Sequence, residues 1–529
     1  FHTQRYGARS RQRLDKALLS FFQNFRRVYV GEQAIHSSKV YGPLKEHVGI
    51  PDHLTALDII VNKIATNLKV FPQCEELVDL TLTLFQDLAA GYMSGKLLLK
   101  LNTINYILGN HTSVNFPFLD EADNTRHRTT FYATLGRLLF MDDSPSKFKA
   151  FVAPFQQVFS MIESHAGDDI NRFRSDQVKS ALIGLFRDLR GITMATNSRR
   201  NYAMLFDWLY PDHMPLIRKA LETYTDTPAV TTPLLKFFAE FVLNKTQRLA
   251  FEASSPNGIK LFWETSKIIV AHGTRVLQLA NVQDMYASKY KGTALCFVIL
   301  LRGLAGNYVN FGVFELYGDP SLNDALDITL RLALSIPLNH LMAYQKLARA
   351  YFQLIEVLTH NHTAFLVLRD SATFLHIGTS LETGLKSLDV SISSQCAAAV
   401  DSLAAFYFNN IVHGESQTPA TQSFVSHIQK NPQIFPSILK TLFEIVLFED
   451  CSNQWSLSRP MLSLILLNEQ IYSDLKMQII ASQPAEKQQR LATCFEKLME
   501  NVSRTLESKN RDKFTQNLTI FRHDFRAKK

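Results

Sequence analysis

The 529 residues include only five cysteines, Cys74, Cys296, Cys396, Cys451 and Cys494, and no two of them are close in sequence. That spacing excludes a disulfide framework and a CxxC-type zinc cage, and it suits a reducing compartment. Long apolar runs are also missing. The longest, Ala294 to Leu301, ends at Arg302, far short of the roughly 20 residues that a bilayer requires, so no membrane insertion is expected. The chain opens on Phe1 and a basic, polar segment with no apolar stretch of the kind a secretory leader needs. Without that route the sequons at Asn110, Asn244, Asn361, Asn501 and Asn517 read as chance occurrences, and the missing initiator Met points to a fragment.

Catalytic signatures are lacking too. There is no GxxxxGK[ST] phosphate loop, no GxGxxG following a strand, no GxSxG elbow and no HExxH. His360 and His362 stand near the end of a helical pattern, where histidines are ordinarily solvated. Asp142/Asp143 and Asp168/Asp169 sit among polar residues, and nothing beside them supplies the desolvation that splits the acidities of a catalytic pair. No catalytic, cofactor-binding or metal-binding residue is assigned, no cofactor is expected, and the chain is not read as an enzyme.

No Gly/Ser-rich linker, low-complexity run or charge block marks a boundary. The chain is therefore read as one continuous run over 1–529, with a flexible loop at 414–422 and a frayed basic tail at 526–529. What the sequence does contain is helical periodicity. Leu341, Tyr344, Leu347, Ala348, Tyr351, Leu354, Ile355 and Leu358 recur at steps of three and four, which on a helix makes one broad apolar stripe. Upstream, Asp319 and Pro320 predict a capped start, and Pro337 separates that helix from one beginning near Leu338. Thr232 with Pro233 predicts another start, Pro460 and Pro484 open two more, and Gly273 is expected to end the helix that begins at Ile259. A helix is also read over 15–29.

The hairpin centred on Pro337 occupies about 40 residues, within the length class of HEAT and armadillo repeats. The fold expected is all-α, a right-handed α-solenoid of roughly eleven HEAT-like helical hairpins, whose function comes from surface rather than from a reactive pocket.

Net charge is +8, mild for this length. The cations gather only at the start (Arg5, Arg9, Arg11, Arg13, Lys16) and at the end (Lys509, Arg511, Lys513, Arg522, Arg526, Lys528, Lys529). The favoured reading is solvated helix faces and a frayed tail with no direct nucleic-acid binding, the other being an acidic partner or a phosphate surface. Of the three tryptophans, Trp208, Trp263 and Trp455, the first could anchor a partner, although packing between hairpins is the preferred reading.

The string YVNFGVFELYGD (308–319) resembles the importin-β-like (karyopherin-β) nuclear transport receptors, in their exportin branch. RTTFYATLGRLL (128–139), RDLRGI (187–192), FDWLYP (206–211), TTPLLKFFAEFVLNKTQRL (231–249), SSPNGI (254–259), FEDCSNQWSLSRP (448–460), SQP (482–484) and NRDKFTQNL (510–518) resemble that branch in the same order. ATNSRR (195–200) is most similar to plant-type members. Because such receptors are about twice as long, the resemblance implies their C-terminal half. It further implies a HEAT-repeat receptor that shuttles between nucleus and cytoplasm through the nuclear pore. Protein cargo would lie on the concave face, Ran-GTP would be held mainly by the N-terminal half, and phenylalanine-glycine nucleoporins would be weak partners. A helical-repeat scaffold outside transport is the alternative. The resemblance transfers no Ran- or cargo-contacting residue.

Overall fold

The computed structural model describes residues 8–25 and 41–526; the remainder, including the expected helix residues 26–29 and the basic residues Arg5, Lys528 and Lys529, lies outside them. Among the described residues there are α-helices, short 3-10 and π turns, and no strand. Two compact units are present, Phe1–Ala325 and Leu326–Lys529.

In the first unit one row of helices stacks in chain order, each on the next: α1 (Ala8–Phe25), α2 (Glu75–Ala90), α3 (Arg128–Leu139), α4 (Asp176–Ala195), α5 (Pro228–Phe241) and α6 (Lys291–Ala305). The second unit repeats the arrangement with α7 (Gln345–Asn361), α8 (Val390–Tyr407), α9 (Gln454–Leu467) and α10 (Ser508–Arg526). Other helices lie between consecutive members of each row and pack beside them, as Asn257–Gln278 does against α6 and Ser371–Leu385 against α8. This is the nearest-neighbour stacking of a helical-repeat protein. α3, α4 and α5 start at 128, 176 and 228, so one repeat takes about 50 residues, not the 40 read from the central hairpin. The excess is connection, such as the 3-10 turns Pro117–Asp120 and Ala122–His127 that precede α3.

Burial of one stripe per helix holds the row together. Leu135 and Leu138 of α3, Leu182, Leu185, Leu189 and Ile192 of α4, and Leu234, Phe237, Phe238 and Phe241 of α5 are almost wholly removed from water. Each such side chain contributes about 1.5 to 3 kcal/mol. Side-chain caps fix where many helices begin: Ser175 accepts from the Val178 amide, Ser198 and Asn201 form a reciprocal capping box, and Asp370 accepts from the Thr373 amide. Asp319 is the cap expected. Its carboxylate accepts from the Ser321 amide at 2.9 Å and also from the Trp263 indole at 2.7 Å.

Several local expectations are corrected. α5 begins at Pro228, and Pro233 sits inside it. The ring costs one amide bond, and burial of Leu234, Leu235, Phe237 and Phe238 outweighs that loss. Pro460 likewise lies within α9 and opens nothing. Gly273 ends no helix: Asn257–Gln278 continues through it, and the residue is buried there. The stripe from Leu341 to Leu358 is divided at Tyr344, whose extended backbone (φ −109°, ψ 99°) parts Leu338–Ala343 from α7. Tyr344 is consequently exposed while Leu347, Tyr351, Leu354 and Leu358 are buried. The loop expected over 414–422 is shorter, because Thr418 caps a helix, Pro419–Lys430, through the Thr421 amide. At the expected tail, Arg526 is the last residue of α10 and pairs with Asp450 at 2.9 Å.

Candidate functional site

The residues singled out for chemistry do not converge. His360 lies in the last turn of α7 and His362 immediately after the helix, and among the described residues no group of three or more His, Cys, Asp or Glu could hold a metal. Asp142 pairs with Lys147 at 2.7 Å, and Asp169 caps a short helix by accepting from the Asn171 amide at 2.9 Å. All five cysteines are free thiols. Burial pushes the Cys296 thiol up to about 12, so it stays protonated as a packing group. No described helix is long and apolar enough to cross a membrane.

The tryptophans divide by environment. Trp208 is edge-on to Phe148 and Phe159 and donates to Gln156 Oε1 at 3.1 Å, which makes it a wedge between helices. Trp455 on α9 is the exposed one, at 62%, with the Arg459 guanidinium 4.3 Å from its ring centre. Exposure is a tertiary property, so composition alone did not separate them.

Four of the described terminal cations are fasteners. Lys16 of α1 pairs with Glu76 of α2. Arg511 reaches Asp401 of α8 at 2.9 Å, and Arg522 bonds Gln454 of α9 at 3.2 Å. Arg526, besides Asp450, donates to the Leu447 carbonyl at 3.0 Å. These cations are committed to holding neighbouring helices, not to an external anion.

Cationic surface is found instead along the row of the first unit, where sequence reading saw no cluster. Arg187 and Arg190 of α4, Lys236 of α5 and Lys291 of α6 line one cleft, together with Thr129, Pro228, Ala229, Thr232, Pro233 and Ala287, and no carboxylate is among them. Each helix contributes only one or two of the cations, and sequence separations of about 50 residues come together only because the helices stack. Pro228 and Ala229 place the N-terminal turn of α5 at the cleft, with its partial positive charge. Burial, then the nearby charges of Arg190 and Arg128, push the Arg187 pKa down. The Nε atoms of Arg187 and Arg190 are both buried without a hydrogen-bond partner.

A second groove opens on the same unit between Val114, Arg128, Tyr132, Pro154, Phe155, Met161 and Leu185. Its polar lining includes the pair Arg128–Asp188 together with Asp120, Gln157 and Ser180, and the rest is mainly apolar. Val114 stands 88% exposed at its rim. Neither cleft has a histidine or a cysteine among its lining residues.

Residues 1–127 match the family described as "Exportin-7-like, TPR domain". Over 527 residues the chain is 42% identical to Exportin-7-B of Xenopus laevis, which covers 97% of this chain and 48% of the relative. It is 40% identical over 529 residues to Ran-binding protein 17 of Homo sapiens, with the same two coverages, and 36% identical over 527 residues to Exportin-7 of Dictyostelium discoideum, covering 99% and 52%. The chain thus spans about half the length of the curated relatives it matches. Among solved structures, an engineered protein aligns over 96% of both chains with a TM-score of 0.43 at 10% identity.

Proposed function

Since the chain belongs by sequence with exportin-7 and Ran-binding protein 17, we propose that it is the C-terminal portion of a nuclear export receptor, one that carries folded protein cargo through the pore and answers to Ran-GTP. The observation that carries this reading is identity of 42% maintained over 97% of the chain. No reaction is assigned to it. Cargo would lie along the closely stacked row of helices, because in a curved stack of hairpins the tighter row forms the concave side. Ran would be engaged mainly by sequence that the relatives have beyond this half.

The physical mechanism requires no reactive centre. If Ran-GTP and cargo favour the same curvature of the stack, each raises the other's affinity by an equal factor, typically 1 to 3 kcal/mol of coupling or about 5 to 150-fold. Passage through the pore would use weak, repeated contacts, with phenylalanine side chains of phenylalanine-glycine repeats entering grooves such as the one beside Val114 and Met161. Residence would alternate between nucleus and cytoplasm.

The test joins this chain to the N-terminal half of a relative and measures captured proteins with Ran bound to a non-hydrolysable GTP analogue and with Ran-GDP. Capture of one set of proteins at least fivefold stronger with the GTP form is the expected result. Capture indifferent to nucleotide would make the chain a helical-repeat scaffold outside transport.

A further inference from the structure

Three successive row helices end against one short turn, residues 244–249. Arg248 is 1% exposed and spends every donor of its guanidinium on helix ends. Where α4 ends, Nη1 donates to the Thr193 carbonyl at 2.7 Å and to the Thr196 hydroxyl at 2.8 Å. Where α5 ends, Nε donates to the Leu243 carbonyl at 3.0 Å, and Nη2 to the Glu240 carbonyl and carboxylate. Lys245 Nζ adds the Met194 carbonyl at 2.6 Å, and the Asn244 side-chain amide donates to the Gly306 carbonyl at 2.6 Å, just past α6. α6 answers in the other direction, since Arg302 Nη1 donates to the Ala239 carbonyl at 2.6 Å. The last carbonyls of a helix have no partner within it and carry its partial negative charge, so cations and amides are the groups that suit them.

The turn that places these groups is strained. Thr246 and Gln247 follow one another at φ 50° and 56°, in the left-handed region that a β-branched residue such as threonine rarely occupies. Such residues persist only where their surroundings hold them, and here the ties on either side do so. Because Arg248 is removed from water, breaking one of its bonds leaves a buried cation short of an acceptor, so its bonds are kept together or lost together.

We propose that residues 244–249 act as a clasp that joins the C-terminal ends of α4, α5 and α6 into one cooperative unit, so that α4 and α6 open together although α5 lies between them. Repeat proteins ordinarily couple only nearest neighbours. A bend that reaches this clasp must instead move three row helices together or none.

This proposal does not rest on the export reading, since it requires neither Ran nor a pore. The experiment follows amide hydrogen exchange of the whole chain by mass spectrometry and compares Arg248→Met with Arg174→Met. Arg174 also ties a backbone carbonyl, that of Thr223, to another element of the same unit. R248M is expected to speed exchange about tenfold or more in 193–197, 239–243 and 300–306, the last of which receives no hydrogen bond from Arg248. R174M is expected to leave all three segments unchanged. If R248M fails to fold by circular dichroism, Asn244→Ala takes its place. The Asn244 side chain bonds only the Gly306 carbonyl and the Leu249 amide, yet exchange in 193–197 should rise about threefold or more as well. Faster exchange confined to the segments that the substituted side chain bonds would make these contacts ordinary end caps and overturn the clasp. So would an equal rise with R174M, which would mark a general loosening of the unit.

Discussion

Arg128 of α3 grips Asp188 of α4 through two parallel hydrogen bonds, Nε to Oδ1 at 2.8 Å and Nη2 to Oδ2 at 2.6 Å, while its Nη1 donates to the Leu119 carbonyl at 2.6 Å. The carboxylate is only 2% exposed. One side chain thus ties two successive row helices to the turn preceding them. Burial opposes the charge of Arg128, but the proximity of Asp188 outweighs it and raises the guanidinium pKa.

Breaking one side of that pair should therefore cost more than removing both. Arg128→Ala leaves a buried carboxylate without a counter-charge, and a destabilisation of about 3 to 5 kcal/mol is expected. The double variant Arg128→Met with Asp188→Leu removes the charge altogether and should recover more than half of that loss. Urea unfolding followed by tryptophan fluorescence, which reports Trp208 and Trp263 in the same unit, measures both. A double variant at least as unstable as R128A would mean that the pair acts only through packing.

The spacing between α3 and α4 depends on a glycine. A Cβ at Gly191 would stand 2.8 Å from the Ala133 amide nitrogen and closer still to the Thr129 carbonyl oxygen, both backbone atoms that cannot swing aside. Gly191→Ala should separate the two helices and cost about 1 to 3 kcal/mol in spite of alanine's better helix propensity. At Gly42, in the Tyr41–Val48 helix, a Cβ would meet nothing within 4 Å, and Gly42→Ala should be neutral or slightly stabilising. Melting temperatures of the two variants make the comparison; equal shifts would refute the close-approach argument.

Acid sensitivity follows from His272. Its ring lies in the Asn257–Gln278 helix, 2% exposed, with neither nitrogen bonded, and burial lowers its pKa to about 4. The unfolded value is near 6.5, so above that pH the imidazole is neutral in both states and contributes no pH dependence. Between roughly 6.5 and 4 the unfolded chain binds the proton more readily, and stability falls as pH falls, by up to about 3 kcal/mol, then levels off below 4. Denaturation at pH 7, 5.5 and 4.5 should show this decline in the first unit and lose most of it in His272→Gln. An identical decline in that variant would place the sensitivity on other groups.

How far the residues spoke for themselves can be judged position by position. Three-and-four spacing on α7 marked Leu347, Tyr351, Leu354 and Leu358, and all four are buried, because a stripe of that width has no stable place except against other helices. Asp319 read correctly as a cap for the same local reason: its carboxylate reaches an amide two residues on. Gly273, Pro233 and Pro460 misled, since a weak local breaker is overruled where packing of the surrounding turns is worth more than one lost bond or one flexible backbone unit.

Helical class, apolar stripes and family resemblance were thus contained in the order of residues, because each depends on neighbours within a turn or two or on long strings read whole. The cationic cleft was not. Arg187, Lys236 and Lys291 are about 50 residues apart along the chain, the distance of one helical repeat, and nothing in local periodicity gives them a common face. Only the stacking of α4, α5 and α6 sets their charges side by side, just as the stacking of α8, α9 and α10 commits Arg511 and Arg522 to neighbouring helices.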